Sequence, residues 1–120
     1  MRVLFVAIAS CFAVAAIFHV VALFAPQVAE PSPAWRHALF AAINVAFAIG
    51  MLARPAWYVL AFAALSAQQL YSHGAYGVDV WRREERVDWA SVLVVVAMPL
   101  VLALLVVDAR RTRRRQVRDG

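Results

Sequence analysis

Two stretches decide how this sequence is read: VLFVAIASCFAVAAIFHVVALFA at positions 3–25, and WASVLVVVAMPLVLALLVV at positions 89–107. Neither contains a charged residue, and each matches the roughly 20 helical residues needed to cross a bilayer core about 30 Å thick. Working outward, two further apolar runs, Ala38 to Ala53 and Ala56 to Leu70, reach that length once their interfacial ends are counted. The pattern predicts an all-α integral membrane protein. Four transmembrane helices are expected at about 3–25, 35–53, 55–73 and 88–108, in an up-down antiparallel bundle.

Composition supports this. Of the 120 residues, 65% are hydrophobic and the mean hydropathy is +0.74, leaving too little polar surface for a soluble domain and no room for a second one. The chain reads as one transmembrane domain, 1–109, followed by a basic cytoplasmic tail, 110–120. The net charge of +5 comes from arginine alone, because lysine is absent.

Where the arginines lie matters more than how many there are. Arg110, Arg111, Arg113, Arg114, Arg115 and Arg118 all follow the last run, where a cytoplasmic tail meets anionic headgroups. No aromatic residues interleave them, so the partner is the lipid bilayer and not nucleic acid. Arg2 and Arg54 fall on the same side if there are four crossings. On the other side, Arg82, Arg83 and Arg86 are outnumbered by Asp79, Glu84, Glu85 and Asp88. The expectation is a multi-pass protein of the cell (inner) membrane with both termini cytoplasmic. Trp35, Trp57, Trp81 and Trp89, with Tyr58, Tyr71 and Tyr76, mark the interfaces.

The first run is longer than the apolar core of a signal peptide, and no good small-x-small cleavage site follows it. Ile8-Ala9-Ser10-Cys11 has the form of a lipoprotein cleavage box but stands too near the start, so an uncleaved first helix is expected. The lone Cys11 excludes an intramolecular disulfide and paired-cysteine redox chemistry.

Punctuation completes the layout. Pro26, Pro31 and Pro33 stop helix 1 and stiffen the first loop. Pro55 is read in the first turn of helix 3. Gly74 and Gly77 are read as ending that helix, with Asp79 capping a short interfacial helix, Val80 to Val87, before helix 4. In that short helix, Arg82 and Glu85 are spaced to pair. Pro99 is expected to kink helix 4.

Membrane helices associate through small residues and polar groups. Such stripes run through Ala7, Cys11, Ala15 and His19 on helix 1. On helix 2 they run through His37, Ala41, Asn44 and Ala48, and through Ala42, Ala46, Gly50 and Ala53. Helix 2 is therefore read as the packing centre.

Polar groups at this depth are functional candidates. His19, His37, Asn44, Gln69 and His73 are the expected ligand-binding set, gathered in the outer half of the membrane. His19 with His73 is the preferred pair for a metal or for haem b. Their competing reading is structural: buried histidines with satisfied hydrogen bonds, and amides that only join neighbouring helices. Glu30, near the same mouth, reads as a solvated loop carboxylate or a base. Arg36 reads as a snorkelling anchor or a partner for an anionic ligand.

The apolar runs contain no acidic residue, and no Ser-His-acid set, phosphate loop or HExxH motif is present. That argues against carboxylate-bridged di-iron enzymes and against exporters built on a membrane glutamate, and catalysis is left open. The preferred function is a small membrane protein with an outward-facing His/Asn/Gln cluster that binds a metal, haem, quinone or lipid-like ligand. The alternative is a non-catalytic accessory or assembly subunit docked on a larger membrane-protein partner. The third reading is a homo-oligomeric small-solute transporter.

Overall fold

Among the described residues, Arg54 and Glu85 are the non-glycine residues with left-handed backbone, at φ 47° and φ 52°, and each ends a helix. Arg54 lies between the two helical hairpins, and Glu85 lies in the turn of the second. The computed structural model describes residues 2–25, 27 and 32–119, and these form four α-helices: α1 Arg2–Phe24, α2 Ala34–Ala53, α3 Tyr58–Glu84 and α4 Trp89–Asp119. The chain divides into two units, residues 1–55 and 56–120, with α1 packed on α2 and α3 on α4.

In the first unit, ascending positions on α1 meet descending positions on α2. Phe5 lies under Arg54, the Phe12 and Phe47 rings are 6.0 Å apart, and His19 meets His37. Phe5, Ala9, Phe12, Ala16 and His19 follow a 4-3-4-3 spacing, the seam of a coiled coil rather than a plain four-residue stripe. Phe5, Ala9 and Ala16 are buried accordingly. The expected stripe through Ala7, Cys11 and Ala15 is corrected: Ala7 and Cys11 are exposed, and Ala15 is half-buried. A four-residue step advances about 400° on a helix, so it drifts off one face within two turns. Alternating steps of four and three stay on the seam.

On α2 the face through His37 and Ala41 is buried, with Asn44 and Ala48 half-buried beside it. Of the second stripe only Gly50 is buried; Ala42, Ala46 and Ala53 are exposed.

In the second unit, α3 is one continuous helix of 27 residues. In place of the separate short helix expected at 80–87, residues 80–84 are the end of α3, which passes through Gly74 and Gly77 without interruption, and 85–87 are non-helical. Glycine stops a helix where it takes the left-handed C′ position, and neither glycine has positive φ. Glu85 takes that role instead, with its N–H bonded to the Trp81 carbonyl at 3.0 Å. Among the described residues this segment pairs Asp79 with Arg83 and Glu84 with Arg86, and the expected Arg82–Glu85 pair is not formed. The start of this helix also moves, because Pro55 lies in the joint and α3 begins at Tyr58.

Residues 110–119 are helical and continuous with α4, and the helix runs through Pro99. Their arginines are exposed from Arg110 to Arg118.

Three helices, α1, α2 and Trp89–Arg118 of α4, are long and apolar enough to cross a membrane. By contrast, α3 has the length, but Gln68, Gln69, Ser72 and His73 dilute its apolar run. Large apolar side chains face outward in both units, among them Ile17, Leu60 and Leu93 at 63%, 75% and 69% exposure. In water such surfaces promote association; in hydrocarbon they cost nothing.

Candidate functional site: a histidine dyad in the first hairpin

The seam of the first hairpin ends in two imidazoles. His19 is five residues before the end of α1, and His37 is in the first turn of α2. Both therefore sit at the end of the hairpin joined by residues 25–33. Their Nδ1 atoms are 3.1 Å apart, with ring centroids 5.4 Å apart and planes inclined by 44°. His37 is buried at 9% exposure, and His19 is half-buried.

An aromatic column backs the pair. Phe40 stacks on His19 at 5.4 Å with 22° between planes, and the Arg36 guanidinium lies 5.8 Å over the Phe40 ring. Phe18 meets His19 edge-on at 5.5 Å. These contacts fix the His19 ring plane from two sides, so its Nδ1 is aimed by packing as well as by hydrogen bonding.

A 3.1 Å contact between two ring nitrogens admits one proton. One imidazole donates its Nδ1–H, and the other accepts and carries its proton on Nε2. Two protonated rings would set N–H against N–H. The pair thus shares one proton between its Nδ1 atoms or, with that proton shifted to the donor ring's Nε2, presents two convergent lone pairs.

Metal geometry can be compared directly. Two nitrogens bound tetrahedrally at about 2.0–2.1 Å stand about 3.3 Å apart, close to the 3.1 Å observed. Axial nitrogens on opposite faces of a haem stand about 4 Å apart with the ring between them. His19 and His37 as placed fit the first arrangement and leave no room for the second. Among the described residues no group of three or more His, Cys, Asp and Glu side chains gathers as a metal cage. Two ligands from the protein would therefore leave coordination positions open.

The other expected residues make contacts of their own. The Asn44 amide turns back on its own helix and donates to the Phe40 carbonyl at 2.7 Å, a local side-chain–backbone bond. Gln69 donates to Gln68 at 2.9 Å, and Gln68 to Ser72 at 3.4 Å, along the exposed side of α3. In the second unit, His73 Nδ1 lies 3.1 Å from Ser91 Oγ. Glu30 falls outside the described residues.

Two residues carry more than their sequence reading gave them. Ser91 is buried at 2% exposure, and its N–H donates to Asp88 Oδ2 at 3.2 Å. Asp88 thereby caps α4. The signal was present as an acidic residue three positions before a serine at the start of an apolar run, the spacing of an N-cap with its N3 partner. Asp88 lies outside the apolar run, and the Ser91 side chain, then the backbone of Ser91 and Ala90, hold its carboxyl below the ordinary carboxylate range.

No family model matches this chain, and neither the curated proteins nor the solved structures provide a match.

Proposed function

We propose that this chain is a multi-pass protein of the cell membrane that binds a transition-metal cation at His19 and His37. The observation that carries this reading is the 3.1 Å approach of the two Nδ1 atoms. Imidazole suits borderline cations such as Zn²⁺ or Cu²⁺, and neutral rings can bind one through both Nδ1 atoms once each carries its own proton on Nε2. Open coordination positions suit a site that accepts and releases its cation rather than a closed structural one.

Four crossings in up-down order are part of the proposal. His73 and Gly77 of α3 lie against Ser91 at the start of α4. The preceding turns of α3 therefore lie beside the apolar length of α4, and a crossing α4 carries α3 with it. Four crossings and the terminal arginines favour both termini on the cytoplasmic side, which puts the dyad in the outer half of the bilayer.

Metal content of the purified protein tests the reading. After equilibration with Zn²⁺ or Cu²⁺, wild type should retain about one equivalent, and His19→Ala and His37→Ala should each retain almost none. Retention by the double variant would overturn it.

A second reading, an accessory subunit, is favoured by one observation. The first hairpin carries an open apolar groove of about 390 Å³, lined by Ala13, Ala16, Ile17, Val45 and Ala48 among others, shaped for close approach of another helix. Metal-free protein that co-purifies stoichiometrically with one other membrane protein would support that reading over the first.

A further inference from the structure

One face of α4 changes from apolar to basic along its length. On a helix turning about 100° per residue, Val92, Leu93, Val96, Leu100 and Val107 share an arc of about 100°, and all five are exposed. Arg110, Arg111, Arg114, Arg115 and Arg118 extend the same arc to about 140°, and they too are exposed. Arg113 stands on the flank, outside it. Ser91 and Leu105 are buried on the opposite side, where α4 packs on α3. The stripe therefore faces away from α3.

Its dimensions are those of half a bilayer. Val96 to Val107 rises about 16 Å at 1.5 Å per residue, against about 15 Å for one hydrocarbon leaflet. Arg110 and Arg111 stand about 5–6 Å beyond Val107, within a headgroup layer of about 5–7 Å. Every Cα–Cβ bond tilts toward the helix N-terminus, so in a crossing α4 the arginine side chains lean back toward the bilayer. The segment is helical although Arg110 and Arg114, Arg114 and Arg118, and Arg111 and Arg115 are like charges four residues apart. That spacing opposes a helix unless anions neutralise it.

We propose that this face of α4 binds an anionic phospholipid, with acyl chain along Val96, Leu100 and Val107 and phosphate among Arg110, Arg111 and Arg114. The assignment rests on α4 crossing the membrane, as in the functional reading above. Both parts of the stripe are needed to choose the occupant. A soluble polyanion or an acidic protein would use the arginines and leave the aligned apolar residues without a role. A zwitterionic lipid would use the apolar residues and leave the arginine charge unmatched. Guanidinium forks meet phosphate oxygens in pairs, and a headgroup without a compensating cation leaves those oxygens to the protein.

Electron spin resonance of the full chain in phosphatidylcholine bilayers tests the proposal, with phosphatidylglycerol or phosphatidylcholine spin-labelled in the acyl chain as probe. Lipid held on the protein surface gives a motionally restricted signal. Phosphatidylglycerol should be enriched in it about fivefold over phosphatidylcholine, the preference expected from about one well-placed arginine or more, and high salt should weaken the preference. Replacing Arg110, Arg111 and Arg114 together by Gln should abolish it while the restricted phosphatidylcholine signal stays unchanged, which shows the helices still inserted. Arg114→Gln should reduce the preference more than Arg113→Gln does. Soluble glycerol phosphate, which has the phosphate without the chains, should not displace the labelled lipid. Equal restriction of the two lipids, a preference that survives the triple substitution, equal effects at Arg113 and Arg114, or displacement by glycerol phosphate would each overturn the proposal and leave the membrane reading intact. No restricted signal from either lipid would overturn both.

Discussion

The Arg54 guanidinium lies 4.7 Å from the centre of the Phe5 ring, projected there by a backbone in the left-handed region at φ 47°, ψ 55°. Arginine is an unusual residue for that position: glycine ends helices without steric cost, whereas other L-residues are strained by about 1–2 kcal/mol. What arginine contributes is reach. From the end of α2 its side chain closes the base of the first hairpin over the first turn of α1, and a cation–π contact of this kind is worth about 0.5–2 kcal/mol depending on desolvation.

Replacing Arg54 separates the two effects. Arg54→Ala keeps the strained backbone and loses the ring contact, so it should destabilise the hairpin by about 1–2 kcal/mol. Arg54→Gly loses the contact but relieves the strain, and should cost less. Denaturant titration in mixed micelles measures both. A glycine variant less stable than the alanine variant would show that the ring contact and backbone strain are not the governing terms.

The 4-3-4-3 seam on α1 makes positional distinctions between near neighbours. Ala9 is buried at 5% exposure against α2, whereas Ala7 is exposed. Ala9→Leu should destabilise by about 1–3 kcal/mol through overpacking, and Ala7→Leu should be nearly silent. The same contrast is expected between Gly50→Leu and Ala46→Leu on α2. Equal damage at Ala7 would return the seam to the plain four-residue stripe.

Acid should loosen the start of α4. The Asp88 carboxyl is depressed in the folded protein, chiefly by the Ser91 side chain. Its stabilising contribution is therefore fully present above the ordinary carboxylate range and is lost as pH falls through the lowered folded value. Hydrogen exchange at the first amides of α4 should accelerate below about pH 4 in wild type, and Asp88→Asn should remove that step. A step that persists in the asparagine variant would assign it to another group.

Topology is testable by parity. Four crossings place both termini on one side, whereas crossings by α1, α2 and α4 alone would place them on opposite sides. Reporter domains fused before Arg2 and after Gly120 should both be active in the cytoplasm, and one inserted within 85–88 should be active outside. Opposite locations for the two termini would exclude α3 from the membrane and undo the four-crossing proposal.

The sequence by itself determined that the chain is helical and where most helices lie. Unbroken apolar runs at 3–25 and 89–107 leave backbone N–H and C=O groups no partner in hydrocarbon except within a helix, and that logic is local. Pro33 stands immediately before α2, where its missing N–H costs no helical bond. Local reasoning failed at Gly74 and Gly77, where the stop depended on which residue adopts left-handed backbone. Glu85 takes it, and α3 reaches Glu84. Spacing put His19, His37 and His73 at similar depth but could not say which rings face each other. Only packing decided that, because the seam of α1 aims His19 at His37, while the close approach that Gly77 allows brings Ser91 to His73. Depth is a property of one helix and can be counted along the chain. Direction around the helix is set by the neighbour, and on that the chemistry of each histidine depends.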